Sequence, residues 1–257
     1  MRLFCQLKGF YVKKEFTIFF TSEIINSFNF IMYYISCGRT LFNTTPINAA
    51  TANPEIVMLA KDNNRFMETI KKADLVIPDG IGVVIATKVQ NGEVLEERVP
   101  GYDLVQNIMK ISVKEGYKYY FFGSKPGVAD EAAKKMRETY SQIEIVGTRD
   151  GYFSKEDEKD IIEDINRSGA NILLVALGAP KQECWIEEHR DELINIKVAI
   201  GVGGSLDGMA GIVKRAPVMF QKLGLEWFYR LLKQPTRFKR MLVLPLFLKE
   251  VLVNKNK

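Results

Sequence analysis

The chain contains a series of continuously apolar runs that alternate with helical patterns, and this alternation most constrains its fold. Runs at residues 75–77, 118–122, 171–177 and 198–204 have the length of buried strands and end in glycine, proline or polar residues. Between the strands, apolar spacing predicts helices that include one at 56–72 and one at 104–115, the second capped by Asp103. Strands that are buried on both faces and joined by helical crossovers are typical of parallel sheets. The sequence therefore predicts an α/β fold: a Rossmann-like parallel sheet with helices on both faces, followed by a basic amphipathic helical C-terminal appendage.

The loops that follow the predicted strands are expected to share one edge of the sheet. Ligands of open α/β sheets bind at this edge, beyond the carboxyl ends of the strands. We therefore expect a nucleotide site that includes Gly123 and Gly203, where glycine lets the backbone approach a phosphate or sugar. Tight packing of strand against helix is the alternative explanation for these glycines. The loops in question are residues 51–55, 78–80, 123–126, 178–183 and 201–205.

The Pro-Asp-Gly loop at 78–80 leaves one carboxylate, that of Asp79, at the end of a strand. Two interpretations are open. Asp79 is a turn residue that caps the next helix, or it is a functional group of the predicted ligand site.

Several kinds of site are disfavoured by the residues present. The glycine-rich segment at 201–208 lies late in the chain and lacks the G-x-G-x-x-G spacing of a dinucleotide fingerprint. The chain has no Asp-x-Asp pair, with which many sugar-nucleotide transferases hold a metal, so a departing diphosphate would need cationic side chains or helix N-termini. With one histidine and three scattered cysteines, neither zinc chemistry nor a disulfide framework is expected, and we expect a reducing cytoplasm. No metal and no cofactor are predicted.

Positive charge is concentrated in the C-terminal segment. Residues 212–257 contain eleven Lys and Arg against two Glu, a net +9, so the remainder carries −4 of the overall +5. Apolar residues recur at helical spacing among these basic residues, on both sides of Pro235. Such segments lie in membrane interfaces, and the alternative is a terminal helix packed on the core. No nucleic-acid-binding module is matched, and a homo-oligomer is expected if the apolar residues are unsheltered off the membrane.

The first 40 residues are the hardest to interpret. A strand at 16–20 and a helix at 24–35 are predicted, and the uncharged run of 15 residues at 24–38 is too short to span a membrane. Glu23 interrupts the apolar core that a signal peptide would need. The predicted organisation is an N-terminal segment at 1–40, an α/β catalytic core at 41–211 and a membrane-associating appendage at 212–257.

Seven short motifs occur in a fixed order along the chain. They are Thr-Ala-Asn-Pro-Glu at 51–55, Pro-Asp-Gly at 78–80, Arg-Val-Pro-Gly at 98–101, Gly-Ala-Pro-Lys-Gln-Glu at 178–183, Gly-Val-Gly-Gly-Ser-Leu-Asp at 201–207, Lys-Arg-Ala-Pro at 214–217 and Glu-Trp-Phe-Tyr-Arg-Leu-Leu-Lys at 226–233. Together they resemble the WecG/TagA/CpsF family, glycosyltransferase family 26, over about residues 40–250.

The resemblance implies a metal-independent, inverting glycosyltransferase that is peripheral on the cytoplasmic face of the plasma membrane. In the teichoic-acid branch, N-acetylmannosamine passes from its UDP donor to undecaprenyl-diphosphate-linked N-acetylglucosamine. The product is a β-1,4-linked lipid disaccharide, the linkage unit of wall teichoic acid.

The resemblance also implies roles for single residues. Asp79 resembles the general base, and an inverting reaction needs such a base beside the acceptor hydroxyl. The other implied positions are pocket residues (Thr51, Asn53), substrate contacts (Arg98, Gln182) and arginines of the appendage that reach the membrane and the diphosphate (Arg230, Arg237, Arg240).

Two rival functions remain open at this point. A sister enzyme would transfer another UDP sugar in capsule or exopolysaccharide synthesis. A non-catalytic nucleotide-binding module at the membrane surface would bind UDP without turnover.

Overall fold

The structure is a computed structural model that describes residues 10–12, 16–18, 45–89, 95, 98–233, 235 and 238–253. Near the N terminus, β1 (Phe10–Val12) pairs with β2 (Phe16–Ile18) in an antiparallel hairpin. The strand expected at 16–20 thus corresponds to β2. The helix expected at 24–35 lies outside the described residues.

A six-stranded parallel sheet forms the centre of the molecule, and it confirms the predicted fold class. The spatial order of its strands is β4-β3-β8-β7-β5-β6, and every neighbouring pair is parallel. All six strands therefore have their carboxyl ends at one edge. The strands are β3 (Ile47–Ala52), β4 (Leu75–Pro78), β5 (Lys118–Gly123), β6 (Glu144–Arg149), β7 (Ile172–Ala176) and β8 (Val198–Gly201).

The strands are apolar throughout because both faces of the sheet are covered. In β5, Tyr119 and Phe121 enter the core on one face, while Tyr120 and Phe122 enter the core on the other. All four side chains are fully buried. A strand of alternating polarity would leave polar groups unsatisfied on one of these faces.

Eight helices belong to this part of the described chain. One face carries α4, α5 and α8, and the other carries α1, α2, α3, α6 and α7. Their bounds are α1 (Pro54–Asp62), α2 (Asn64–Lys72), α3 (Ile81–Val89), α4 (Gly101–Glu115), α5 (Val128–Thr139), α6 (Glu158–Ser168), α7 (Lys181–Glu188) and α8 (Ser205–Met209).

Two local expectations were wrong. The single helix predicted at 56–72 is broken at Asn63, whose side chain accepts a hydrogen bond from the N–H of Phe66 and so caps a second helix. Asp103 was expected to cap a helix that begins at residue 104. The helix begins instead at Gly101, and Asp103 lies in its first turn and pairs with Arg215 at 2.5 Å.

Four further helices follow the sheet. They are α9 (Val218–Lys222), α10 (Glu226–Lys233), α11 (Phe238–Met241) and α12 (Val243–Val253). The last of them packs on α1 and α3, where Phe247 and Val251 form a small buried cluster with Ala86. Pro245 does not break α12, because it lies in the first turn of that helix, where no intrahelical N–H bond is required.

Candidate active site

Asp79 directly follows β4, at the edge where the strands have their carboxyl ends. Its backbone N–H donates to the carbonyl oxygen of Ala52 at 2.8 Å. The carbonyl oxygen of Pro78, the residue before it, accepts from the N–H of Val99 at 2.8 Å. These two hydrogen bonds fix the backbone at Pro78 and Asp79, so the Asp79 carboxylate projects from a fixed position.

The N-terminus of α4 orients this carboxylate. Its Oδ1 accepts from the backbone N–H of Gly101 at 3.2 Å, a donor that has no partner within its own helix. Burial raises the pKa of Asp79 to about 6 from 3.8, against the opposing effects of this hydrogen bond and of the Arg230 and Arg98 charges. Asp79 does bond to a helix terminus, but to α4 and not to the helix that follows it in sequence. A carboxylate of this pKa is ionised at neutral pH and is a stronger base than an ordinary aspartate.

Thr51 lies on the neighbouring strand, β3, and packs against the same helix terminus. A Cβ at Gly101 would come within 2.9 Å of Cγ2 of Thr51, so only glycine permits this approach. The Thr51 hydroxyl donates to the carbonyl oxygen of Gly201 at 3.2 Å. Asn53 caps α1 by accepting from the N–H of Ile56. Both predicted pocket residues therefore lie at the strand ends beside Asp79, and the Asn53 side chain is also used structurally.

Gln182 joins two of the glycine loops. Its Oε1 accepts from the N–H of Gly178 at 3.2 Å and from the N–H of Gly203 at 3.0 Å. Its Nε2 donates to Oε1 of Glu183 at 2.7 Å, and both side chains are buried. The amide thus fixes the loop after β7 relative to the loop after β8, which gives Gln182 a structural role whether or not it contacts substrate.

Gly123 allows the backbones of β5 and β7 to meet closely at this edge. Its φ is +123°, and a Cβ there would lie 2.4 Å from the carbonyl carbon of Ala176. The next residue, Ser124, has a positive φ of 61°, which is uncommon for a residue other than glycine. Its hydroxyl lies 3.4 Å from Oδ2 of Asp207. Strained backbone of this kind clusters at functional sites.

Arg98 faces the C-terminal helices. Its Nη1 pairs with Oε2 of Glu226 at 2.6 Å, and its Nη2 donates to the carbonyl oxygen of Gln221 at 2.9 Å. The pair is largely buried, with 18% and 15% of the two side chains exposed. The substrate contact expected of Arg98 remains a prediction.

The three predicted appendage arginines have different surroundings. The charge of Arg230, on α10, acts to lower the pKa of Asp79. Arg240, on α11, pairs with Glu55 at 2.6 Å, one of the residues of the Thr-Ala-Asn-Pro-Glu motif. Arg237 lies outside the described residues.

Sequence reasoning missed the partners of these residues. One feature of the sequence could have pointed to Glu226 as a partner: it is the only acidic residue between positions 212 and 249 of a basic segment. No feature of the sequence pointed to Glu183, since a helical pattern does not distinguish a buried carboxyl group from an exposed one. Burial raises the pKa of Glu183, and its Oε2 has no hydrogen-bond partner.

Neither a metal-binding cluster nor a membrane-spanning helix is present among the described residues. No group of three or more His, Cys, Asp or Glu side chains there is arranged to hold a metal ion. No helix within the same ranges has both the length and the apolar character to cross a membrane.

Exposed apolar side chains are concentrated in the C-terminal helices. Twelve of the eighteen exposed large apolar residues among those described lie between Val218 and Val253. Large exposed apolar areas mark interaction sites. Phe247 and Val251 pack on the core, so α12 is in part the packed terminal helix of the second alternative, while much of the remaining apolar surface of the segment is exposed.

Comparison with known proteins gives consistent matches over most of the chain. Residues 34–257 match the glycosyl transferase WecG/TagA/CpsF family. The chain is 39% identical over 202 residues to the N-acetylglucosaminyldiphosphoundecaprenol N-acetyl-beta-D-mannosaminyltransferase of Bacillus spizizenii, covering 79% of this chain and 77% of the relative. It is 37% identical over 203 residues to the protein of the same name from Bacillus subtilis, covering 79% and 78%.

Proposed function

Since the chain belongs to the WecG/TagA/CpsF glycosyltransferase family, we propose that it transfers N-acetylmannosamine from UDP-N-acetylmannosamine to undecaprenyl-diphosphate-linked N-acetylglucosamine. The two Bacillus relatives carry the name of this activity. The product is the β-1,4-linked lipid disaccharide that serves as the linkage unit of wall teichoic acid.

The observation that carries the proposal is the position of Asp79. Its carboxylate is fixed at the carboxyl edge of the sheet by Gly101, has a pKa of about 6, and is reached by the charge of Arg230 from the C-terminal helices. An inverting transfer needs one base beside the acceptor and positive charge beside the departing diphosphate. This edge supplies both.

The proposed reaction is a single displacement. The 4-hydroxyl oxygen of the acceptor N-acetylglucosamine attacks C1 of the donor sugar, and a C–O bond forms on the face opposite the leaving group. The bond between C1 and the β-phosphate oxygen breaks, and UDP departs with the electron pair. Asp79 accepts the hydroxyl proton, so the carboxylate is neutral when UDP leaves.

The leaving UDP gathers negative charge, which Arg230 stabilises in this mechanism. The loops at Gly123–Ser124 and Gly203 lie at the same edge, where glycine lets a ligand come close to the backbone, and in this proposal they form the nucleotide side of the site. Gln182 holds the second of these loops in place. The reaction is proposed to need no metal.

The exposed apolar residues of α9 to α12, with the basic residues among them, are proposed to lie in the inner face of the plasma membrane. Burial of apolar side chains and attraction to anionic headgroups would act together there. The lipid-linked acceptor resides in the same surface. The protein is thus a peripheral enzyme, and it self-associates when no membrane shelters these residues.

The experiment that tests the proposal is a donor panel with the full chain. UDP-N-acetylmannosamine, UDP-N-acetylglucosamine and UDP-glucose are each incubated with polyprenyl-diphosphate-linked N-acetylglucosamine in detergent and EDTA, and the lipid is analysed by mass spectrometry. We expect one added N-acetylhexosamine from UDP-N-acetylmannosamine alone. Transfer from another donor would make the chain a sister enzyme, and UDP binding without transfer from any donor would make it a binding module.

Membrane association is tested separately by co-sedimentation with vesicles. Binding to vesicles of anionic lipid is expected to exceed binding to neutral vesicles and to fall with salt. Equal binding to both would contradict the electrostatic part of the proposal.

A further inference from the structure

A second cluster of charges lies between the candidate site and the C-terminal helices, and the transfer mechanism does not use it. Glu226 is at its centre. One carboxylate oxygen pairs with Nη1 of Arg98 at 2.6 Å, and the other lies 3.6 Å from Nε of Arg215. Arg215 in turn pairs with Asp103 and lies over the ring of Tyr102, 5.1 Å from its centroid.

These contacts connect α10 to the N-terminus of α4. Arg98 precedes α4 by three positions, and Tyr102 and Asp103 lie in its first turn. The same turn contains Gly101, whose N–H orients the carboxylate of Asp79. Glu226 is therefore attached to the helix terminus that holds the candidate base.

Arg98 also fixes the turn between α9 and α10. Its second nitrogen donates to the carbonyl oxygen of Gln221, near the end of α9, while its first pairs with Glu226 at the start of α10. Gly224, between them, has a φ of +69°, and a Cβ there would lie 3.1 Å from the side chain of Ile81. The turn thus packs on a residue only two positions after Asp79.

We propose that Glu226 is a positioning residue whose pairs with Arg98 and Arg215 latch α10 over the active site, so that Arg230 is presented to the reacting diphosphate. Glu226 and Arg230 are four residues apart on one helix and share a face. The pair of Glu226 with Arg98 costs much to break, because both side chains are largely buried and Arg98 would be left without its ion-pair partner. Arg98 is accordingly an anchor of the C-terminal helices. This inference rests on the proposed function for its kinetic part only.

The latch has a spectroscopic reporter in the next residue. The chain has two tryptophans, Trp227 beside Glu226 and Trp185 in the core. Trp227 is 37% exposed and Trp185 is 3% exposed, so a change in acrylamide quenching reports on α10.

The test compares Glu226→Gln with Glu250→Gln in the full chain. Glu250 is the matched control, because it is the other acidic residue of the C-terminal segment and pairs with Lys61 at 2.6 Å. For Glu226→Gln we expect kcat to fall about tenfold or more while the Kd for UDP changes less than about twofold. Acrylamide quenching of Trp227 should increase. The control should retain both kcat and quenching.

A double-mutant cycle separates latching from a general loss of stability. If Glu226 acts through Arg230, then Arg230→Ala should cost much less in the Glu226→Gln background than in the wild type. Arg215→Gln, which removes the other pair of Glu226, provides a second variant and should increase quenching in the same direction.

Two results would overturn the latch. One is unchanged quenching of Trp227 in Glu226→Gln, and the other is additive costs in the cycle. If the wild type shows no transfer with any donor, the proposed function fails instead, and the quenching measurement still decides whether Glu226 holds α10.

Discussion

Replacing Asp79 by Asn should stabilise the protein while removing its proposed catalytic base. Burial raises the pKa of Asp79 to about 6 in the folded chain, against 3.8 for an ordinary aspartate. Between these two values the folded chain binds more protons than the unfolded chain, so the free energy of unfolding falls as pH rises. Asn has no charge to bury, and its side-chain oxygen can still accept from the N–H of Gly101.

The magnitude follows from the two pKa values. At about 1.36 kcal/mol per pKa unit, ionisation of the partly buried Asp79 costs at most about 3 kcal/mol at pH 8 and about half as much at pH 5. The advantage of Asp79→Asn over the wild type should therefore grow by about 1–2 kcal/mol from pH 5 to pH 8. For a chain of this size that corresponds to about 3–6 °C in Tm.

The assay is urea or thermal unfolding of both proteins at pH 5 and pH 8. Asp62→Asn is the control, because it removes one carboxylate from an exposed position, and its effect should not grow with pH in this way. An advantage for Asp79→Asn that stays constant or shrinks between pH 5 and pH 8 would refute the reasoning, since the carboxylate would then not be destabilised by burial.

Three further predictions concern activity and packing. Because Asp79 must be ionised to accept a proton, kcat/KM should rise with pH through about 6 and then level off. A kcat/KM that no longer changes with pH above pH 5 would contradict the role of Asp79 as the base. Gly123→Ala should lower the free energy of unfolding by about 2 kcal/mol or more, because its Cβ would meet the backbone of β7 at 2.4 Å. Gly169 also has a positive φ, but a Cβ there would meet no other atom, so Gly169→Ala should lower the free energy of unfolding by only about 1 kcal/mol. Equal losses at both glycines would contradict a clash at Gly123. Phe247→Ala should lower the free energy of unfolding by about 3 kcal/mol in denaturant, because that ring is buried against α1 and α3. Leu246→Ala is the control and should cost little, because Leu246 is exposed. A loss at Phe247 as small as that at Leu246 would show that α12 does not pack on the core.

The strand ends could be predicted from the sequence because their signals are local. Apolar runs such as those at β4 and β7 stop at Pro-Asp-Gly or Gly-Ala-Pro, and a parallel sheet brings all such stops to one edge. The position of Asp79 follows from that pattern. Its orientation does not, because the donor at Gly101 lies 22 residues away on a helix whose start was predicted three residues too late.

The contacts that connect the C-terminal helices to the site could not be predicted. Arg98 and Glu226 are separated by 128 positions, and no periodicity relates them. The break at Asn63 was missed for a different reason: an asparagine is tolerated within a helical pattern, and the capping hydrogen bond that ends one helix and starts the next is visible only in three dimensions.

Turnover by the wild type and by Asp79→Asn tests the central claim most directly. UDP release from UDP-N-acetylmannosamine is measured at pH 7.5 with the lipid-linked N-acetylglucosamine acceptor and EDTA, alongside the Kd for UDP. The account predicts turnover by the wild type and a loss of about 10²–10⁴-fold in the variant with the Kd for UDP unchanged. Turnover at the same rate by both proteins would contradict it.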